Sequence, residues 1–163
     1  MENMKTIILG VGNPILRDDG VGIHVAEQVR QQISNPDVSV GEAFTGGMNL
    51  VDMILGFDKA IIVDAVKIKD CTLGEVRRLL PHELSSVHSN NPHDLSFFEA
   101  LKLAETFGEQ LIPHDIVIIG IVLKESTMVF GEMLSERMAA AVPTAVRMVL
   151  EEIRKKITLS IGD

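Results

Sequence analysis

The sequence predicts an α/β domain of three layers, a mostly parallel sheet with helices on both faces. Two observations predict it. Short apolar runs alternate with helical patterns along the chain, and several of those runs are apolar without interruption. Uninterrupted runs belong to strands buried on both faces, which is the condition of a parallel sheet. Alternation of strand with helix is how parallel strands are connected. No repeat, low-complexity tract or linker breaks the pattern, so the 163 residues read as one domain with one core.

Each element follows from its own residues. Residues 6–10, TIILG, form the first buried strand. Val21, Val25, Val29 and Ile33 recur every fourth residue and lay one stripe of a helix on the sheet, with Asp18 or Asp19 placed to cap it. Residues 38–44 give a second strand, 49–55 a short helix, and 60–64, AIIVD, a third strand. Residues 74–80 are less apolar and carry Arg77 beside Arg78, charge that suits a sheet edge because it blocks pairing with another chain. A polar loop over 85–92 leads to a helix over 95–107, and 116–123, IVIIGIVL, is the last buried strand. Met138, Val142, Val146, Val149, Leu150, Ile153 and Ile157 space a C-terminal helix that Pro143 is expected to kink or divide.

Composition narrows the function. Fifteen Lys and Arg against 23 Asp and Glu leave a formal charge of -8, which repels a phosphate backbone, so no nucleic-acid partner is expected. The longest basic run, Arg154, Lys155 and Lys156, suits the negative end of the last helix. Cys71 is the only cysteine, which excludes an intramolecular disulfide and a multi-cysteine zinc site. With an N-terminus that lacks the features of a signal peptide, it points to a reducing, cytoplasmic setting. No apolar run approaches the length of a membrane span, so no membrane insertion is expected.

Ligands of such a sheet bind beyond the carboxyl ends of its strands. Gly10 and Gly12 close the first strand as in a dinucleotide fold, but Ile15 stands where that fingerprint has its third glycine. Asp18 and Asp19 would also repel a phosphate at the helix start. The same carboxylates suit a cation, against the plainer roles of helix cap and first-turn acid. Asp64 closes an apolar strand at the ligand edge, where a carboxylate needs a partner or water. His93, in the run NNPHD, is either a surface residue near a helix start or the nitrogen donor that completes an O, O, N set. That set fits zinc or nickel with coordination positions left open. Gly46 and Gly47 allow close approach of an extended peptide, or simply form a turn. His24, His82, His88 and His114 lack convincing partners, although His88 is near enough to His93 to stand in for it. No serine elbow, His-Glu-x-x-His or Walker sequence is present.

Four segments, GVGNPILRDDGVG at 10–22, TGGM at 45–48, IIVDA at 61–65 and NPHDL at 91–95, resemble in order those of the hydrogenase maturation endopeptidases. These enzymes, grouped with aspartyl-type peptidases, trim the C-terminus of the large-subunit precursor of nickel-iron hydrogenases. The resemblance covers nearly the whole chain. It implies Asp19, Asp64 and His93 as metal ligands and catalytic residues, and Gly46 and Gly47 as a substrate-binding loop. Glu42, Ala43 and Phe44 depart from the Asp-Gly-Gly type run usual just before that loop.

The resemblance also implies a twisted five-stranded sheet with one antiparallel strand, for which residues 74–80 are the candidate. The metal would be nickel already inserted in the substrate, a recognition signal more than a resident cofactor, with zinc or cadmium able to take its place in vitro. The attacking group would be water, with Asp18 or Asp64 as general base. The partner implied is the large-subunit precursor. Residues 130–136, FGEMLSE, look more like enzymes serving archaeal deazaflavin-reducing hydrogenases than enterobacterial ones. The alternative from another class is a non-catalytic assembly factor that binds the nickel-loaded subunit without cutting it.

Overall fold

The computed structural model describes residues 3–44, 48–83, 96–124 and 129–155. Strands β1 (Thr6–Val11), β2 (Val38–Ala43), β3 (Lys59–Val66), β4 (Val76–Leu79) and β5 (Asp115–Val122) form one sheet in the order β2-β1-β3-β5-β4. β1 runs parallel to β2 and to β3, and β3 parallel to β5, whereas β4 is antiparallel to β5 and lies at the edge. The arginine-bearing strand is thus the single antiparallel one, in the position its charge suits.

Helices α1 (Val21–Gln32), α2 (Met48–Ile54), α3 (Phe97–Thr106) and α4 (Glu136–Arg154) cover both faces. All eight residues of β3 are buried, and because side chains alternate along a strand its six apolar ones feed two cores. Ile61, Val63 and Ala65 join Ile8 and Ile119 beneath Val25 and Val29 of α1 and Met138, Val142 and Val149 of α4. Ala60, Ile62 and Val66 join Leu9 and Ile118 beneath Leu50 and Ile54 of α2 and Phe97 and Leu101 of α3. The expected α/β/α layers are present, and burial on both faces explains the uninterrupted apolar runs.

Helix ends depart from the sequence reading in instructive ways. α3 starts two residues later than the apolar spacing suggests, because a capping box sets its first turn. Ser96 Oγ accepts from the Glu99 N–H at 3.1 Å and Glu99 Oε2 accepts from the Ser96 N–H at 3.0 Å. Pro143 does not divide the C-terminal helix, since α4 is continuous from Glu136 to Arg154. Proline removes one main-chain bond. Here it lies on the exposed side while Val142, Ala145, Val146 and Val149 hold the helix to the sheet on the other.

At the amino-terminal edge of β3 and β5 the structure holds a buried ionic group that periodicity does not reveal. Lys59, 1% exposed, donates from Nζ to the Glu152 carbonyl at 2.9 Å and to Glu152 Oε2 at 3.2 Å, and lies 3.2 Å from Asp115 Oδ2. Arg78 and Lys155 also donate to Glu152 Oε1. Burial pushes the Glu152 carboxyl up, but hydrogen bonds from Arg78, Lys155 and Lys59 outweigh it and hold the group at about 2. Arg78 therefore does more than protect an edge, because it helps tie the last turn of α4 to the sheet. Among the described residues no helix is long and apolar enough to cross a membrane.

Candidate functional site

The site is built where β1 ends and the chain folds back over the carboxyl ends of β1 and β3. Gly12 turns the chain at φ 154, and a Cβ there would lie 2.1 Å from the Asp19 carbonyl oxygen. A Cβ on Gly22 would lie 2.3 Å from the Val63 carbonyl and 2.5 Å from that of Val11. These glycines let main chain meet main chain. The Gly12 N–H donates to the Ala43 carbonyl at 3.0 Å and the Asn13 N–H to Asp19 Oδ2 at 2.9 Å, so both amides are used within the protein. A dinucleotide reading loses its donors here.

Asp18 and Asp19 do not cap α1, contrary to the sequence expectation. They lie in a separate 3-10 turn, Arg17–Gly20, and the N-cap of α1 is Gly20, with no side-chain bond. Both are buried, at 0% and 1% exposure, and buried carboxylates require polar partners. Asp18 spends both oxygens on one residue: Oδ1 accepts from the Ser135 N–H at 2.6 Å and Oδ2 from the Ser135 hydroxyl at 2.7 Å. Asp19, one residue on, receives the Asn13 amide. Two adjacent, chemically identical side chains thus have different surroundings.

Asp64 is buried as well, at 2% exposure, yet it does not close its strand. β3 continues to Val66 in register with Val122 of β5, while its pairing with β1 stops at Val63 opposite Gly10. Asp64 lies one position past the last β1–β3 pair, although β1 itself stays paired with β2 to Val11, and the 3-10 turn packs against β3. By alternation it shares a face with Ile62 and Val66, the face covered by α2 and α3. Gly46, Gly47 and His93 lie outside the described residues; His93 is three positions before Ser96, the N-cap of α3. Among the described residues no cluster of three His, Cys, Asp or Glu is set to hold a metal.

Ser135 is the residue that sequence reasoning missed. A serine just ahead of Glu136 is a helix-start signal, and it stands as the N-cap of α4. Cys71 is half-buried with Sγ 3.7 Å from Arg77 Nη2, the minor role its sequence setting suggests.

A family model described as hydrogenase maturation protease matches residues 23–152. The chain belongs to the hydrogenase maturation protease family. It is a peptidase, hence a hydrolase, with a role in hydrogenase maturation. The hydrogenase 2 maturation protease of Escherichia coli is 28% identical over 155 residues, 93% of this chain and 92% of that one. The structure of the hydrogenase maturating endopeptidase HybD from E. coli superposes with a TM-score of 0.75 at 26% identity, over 93% of each chain. The [NiFe] hydrogenase maturation protease HybD from Thermococcus kodakarensis has a TM-score of 0.66 at 27% identity, over 93% of this chain and 100% of that one. The mixed five-stranded sheet between helices is the fold these proteases share with this one.

Proposed function

We propose that this protease removes the C-terminal extension of a nickel-iron hydrogenase large-subunit precursor after nickel has been inserted, with Asp19, Asp64 and His93 meeting the nickel of the substrate. The observation that carries the reading is the pair Asp19 and Asp64, both buried, on two neighbouring segments at the carboxyl edge of the sheet of a hydrogenase maturation protease. Carboxylate oxygens with one imidazole suit nickel or zinc, and zinc or cadmium would occupy the same donors in vitro. The metal belongs to the substrate, so its capture brings the scissile bond to the enzyme and removes much of the entropic cost of reaching it.

Water is the attacking group in this reading, activated by a carboxylate. Of the two carboxylates considered as general base, Asp18 is the poorer. Asp18 has committed both oxygens to Ser135. Gly46 and Gly47 supply a loop that admits an extended tail close to main chain.

The test is incubation of the purified protein with matched nickel-loaded and nickel-free precursor, read by intact mass spectrometry. Loss of a tail from the loaded form alone supports the reading. Loss from both removes the nickel gate, and loss from neither with binding intact makes the protein an assembly factor.

A further inference from the structure

Residues 129–133 lie beside the turn that carries Asp18 and Asp19, and their large side chains face solvent. The Gly131 N–H donates to the Ile15 carbonyl at 2.8 Å, and the Gly131 carbonyl accepts from the Arg17 N–H at 2.7 Å. Around this bridge Phe130 is 85%, Met133 81% and Ile15 53% exposed. Three protruding apolar side chains are therefore grouped next to the proposed site, in a protein with only six Phe and no Trp or Tyr.

The group is held in place at both ends. Arg17 adopts a left-handed φ of 46, and Gly131 a φ of 153 that favours glycine although a Cβ there would meet nothing within 4 Å. Backbone strain of this kind persists only where the surroundings enforce it, and it gathers at functional positions. At the other end Asp18 grips Ser135 through two hydrogen bonds. A main chain fixed in this way has little freedom left to lose when a partner covers the side chains it carries, which lowers the cost of binding.

We propose that Ile15, Phe130 and Met133 form the docking surface for the folded body of the precursor, whose tail then enters the neighbouring site. This inference rests on the protease reading above. The side chains stand out from the surface, so they fit an apolar hollow on a folded protein. An extended tail would instead seek free main-chain groups, and here the Ile15 carbonyl, the Arg17 N–H and both groups of Gly131 are already bonded to one another, with the Ile15 N–H held by Asn13 Oδ1. A second copy of this chain is the poorer occupant: Glu132 and Glu136 stand near the patch together with Arg17 and Arg137, but the protein as a whole has a formal charge of -8, so self-association would oppose like net charges. A folded partner of opposite net charge is the complement.

The experiment measures precursor affinity, cleavage kinetics and melting temperature for the wild type, the double variant Phe130→Ser with Met133→Ser, and Phe107→Ser. Phe107 is 81% exposed at the end of α3 and serves as the control. The double variant is expected to weaken Kd at least about tenfold and raise KM in step, with kcat within about twofold and the melting temperature unchanged. The control is expected to match the wild type. Wild-type Kd and KM in the double variant, a fall confined to kcat, or an equal loss in the control overturns the docking surface and leaves the protease reading standing. A wild type that binds but never cleaves the loaded precursor overturns the protease reading, while Kd still decides the docking surface. A wild type that does not bind overturns both.

Discussion

Asp18 and Ser135, 117 positions apart in sequence, are joined by two hydrogen bonds, one from the Ser135 N–H at 2.6 Å and one from its hydroxyl at 2.7 Å. Ser135 is the N-cap of α4, so the Asp18 carboxylate sits at the positive end of that helix, where a negative charge is favoured. The turn holding Asp19 is thereby fastened to the longest helix of the fold. Asp18 is a positioning residue in this arrangement.

Asp18→Ala should leave a main-chain donor and a hydroxyl without their acceptors and cost about 2 kcal/mol. Thermal unfolding followed by circular dichroism checks this, and Asp18→Asn should recover part of the loss. An alanine variant as stable as the wild type would show that the tie contributes nothing.

Asp64→Asn keeps the shape of the side chain and removes its charge. Cleavage of the precursor should be abolished while the melting temperature stays within about 3 °C of wild type. Asp19→Asn should behave alike. Retained cleavage with a large fall in melting temperature would assign these residues to structure alone.

Glu152 links stability to pH. Its folded value of about 2 lies below the ordinary 4.5, so its contribution is complete above about pH 4.5 and disappears as pH falls toward 2. Glu152→Gln should flatten that part of the stability profile and, at neutral pH, cost about 3 kcal/mol because Lys59 loses a buried charge partner. Denaturant unfolding of both proteins from pH 7 down to about pH 3 separates the two effects. An unchanged profile in the variant would place the acid sensitivity elsewhere.

Gly22→Ala brings a methyl group to 2.3 Å from the Val63 carbonyl and 2.5 Å from that of Val11, both main chain and unable to yield. α1 must then move off the sheet, at a cost of about 3 kcal/mol or more, and the turn with Asp19 moves with it. Folding yield and cleavage should fall together. Ala26, one turn along the same helix, offers a control in Ala26→Gly, which adds no atoms.

Much of the architecture is legible along the chain. The apolar runs at 6–10, 60–64 and 116–123 declare buried strands because side chains are covered on both faces, and Arg77 with Arg78 marks the edge strand. Asp18, Asp19 and Asp64 are recognisable as unusual because carboxylates close to apolar strand ends need a reason to be there. Their roles are another matter. Asp18 and Asp19 are interchangeable on paper, Pro143 reads as a break, and Asp64 reads as a strand terminus.

Local spacing by itself determined which apolar runs are buried and in which kind of element, since period and residue type report the cover an apolar side chain receives. Tertiary structure alone decided the partners. It gave Asp18 to Ser135, Glu152 to Lys59 and Arg78, and Asp64 a position beyond the last β1 pairing. Such partners are brought together only when the sheet closes and α4 lies across it. A hydrogen bond depends on distance and direction in space, and neither is written in the spacing of residues along a chain.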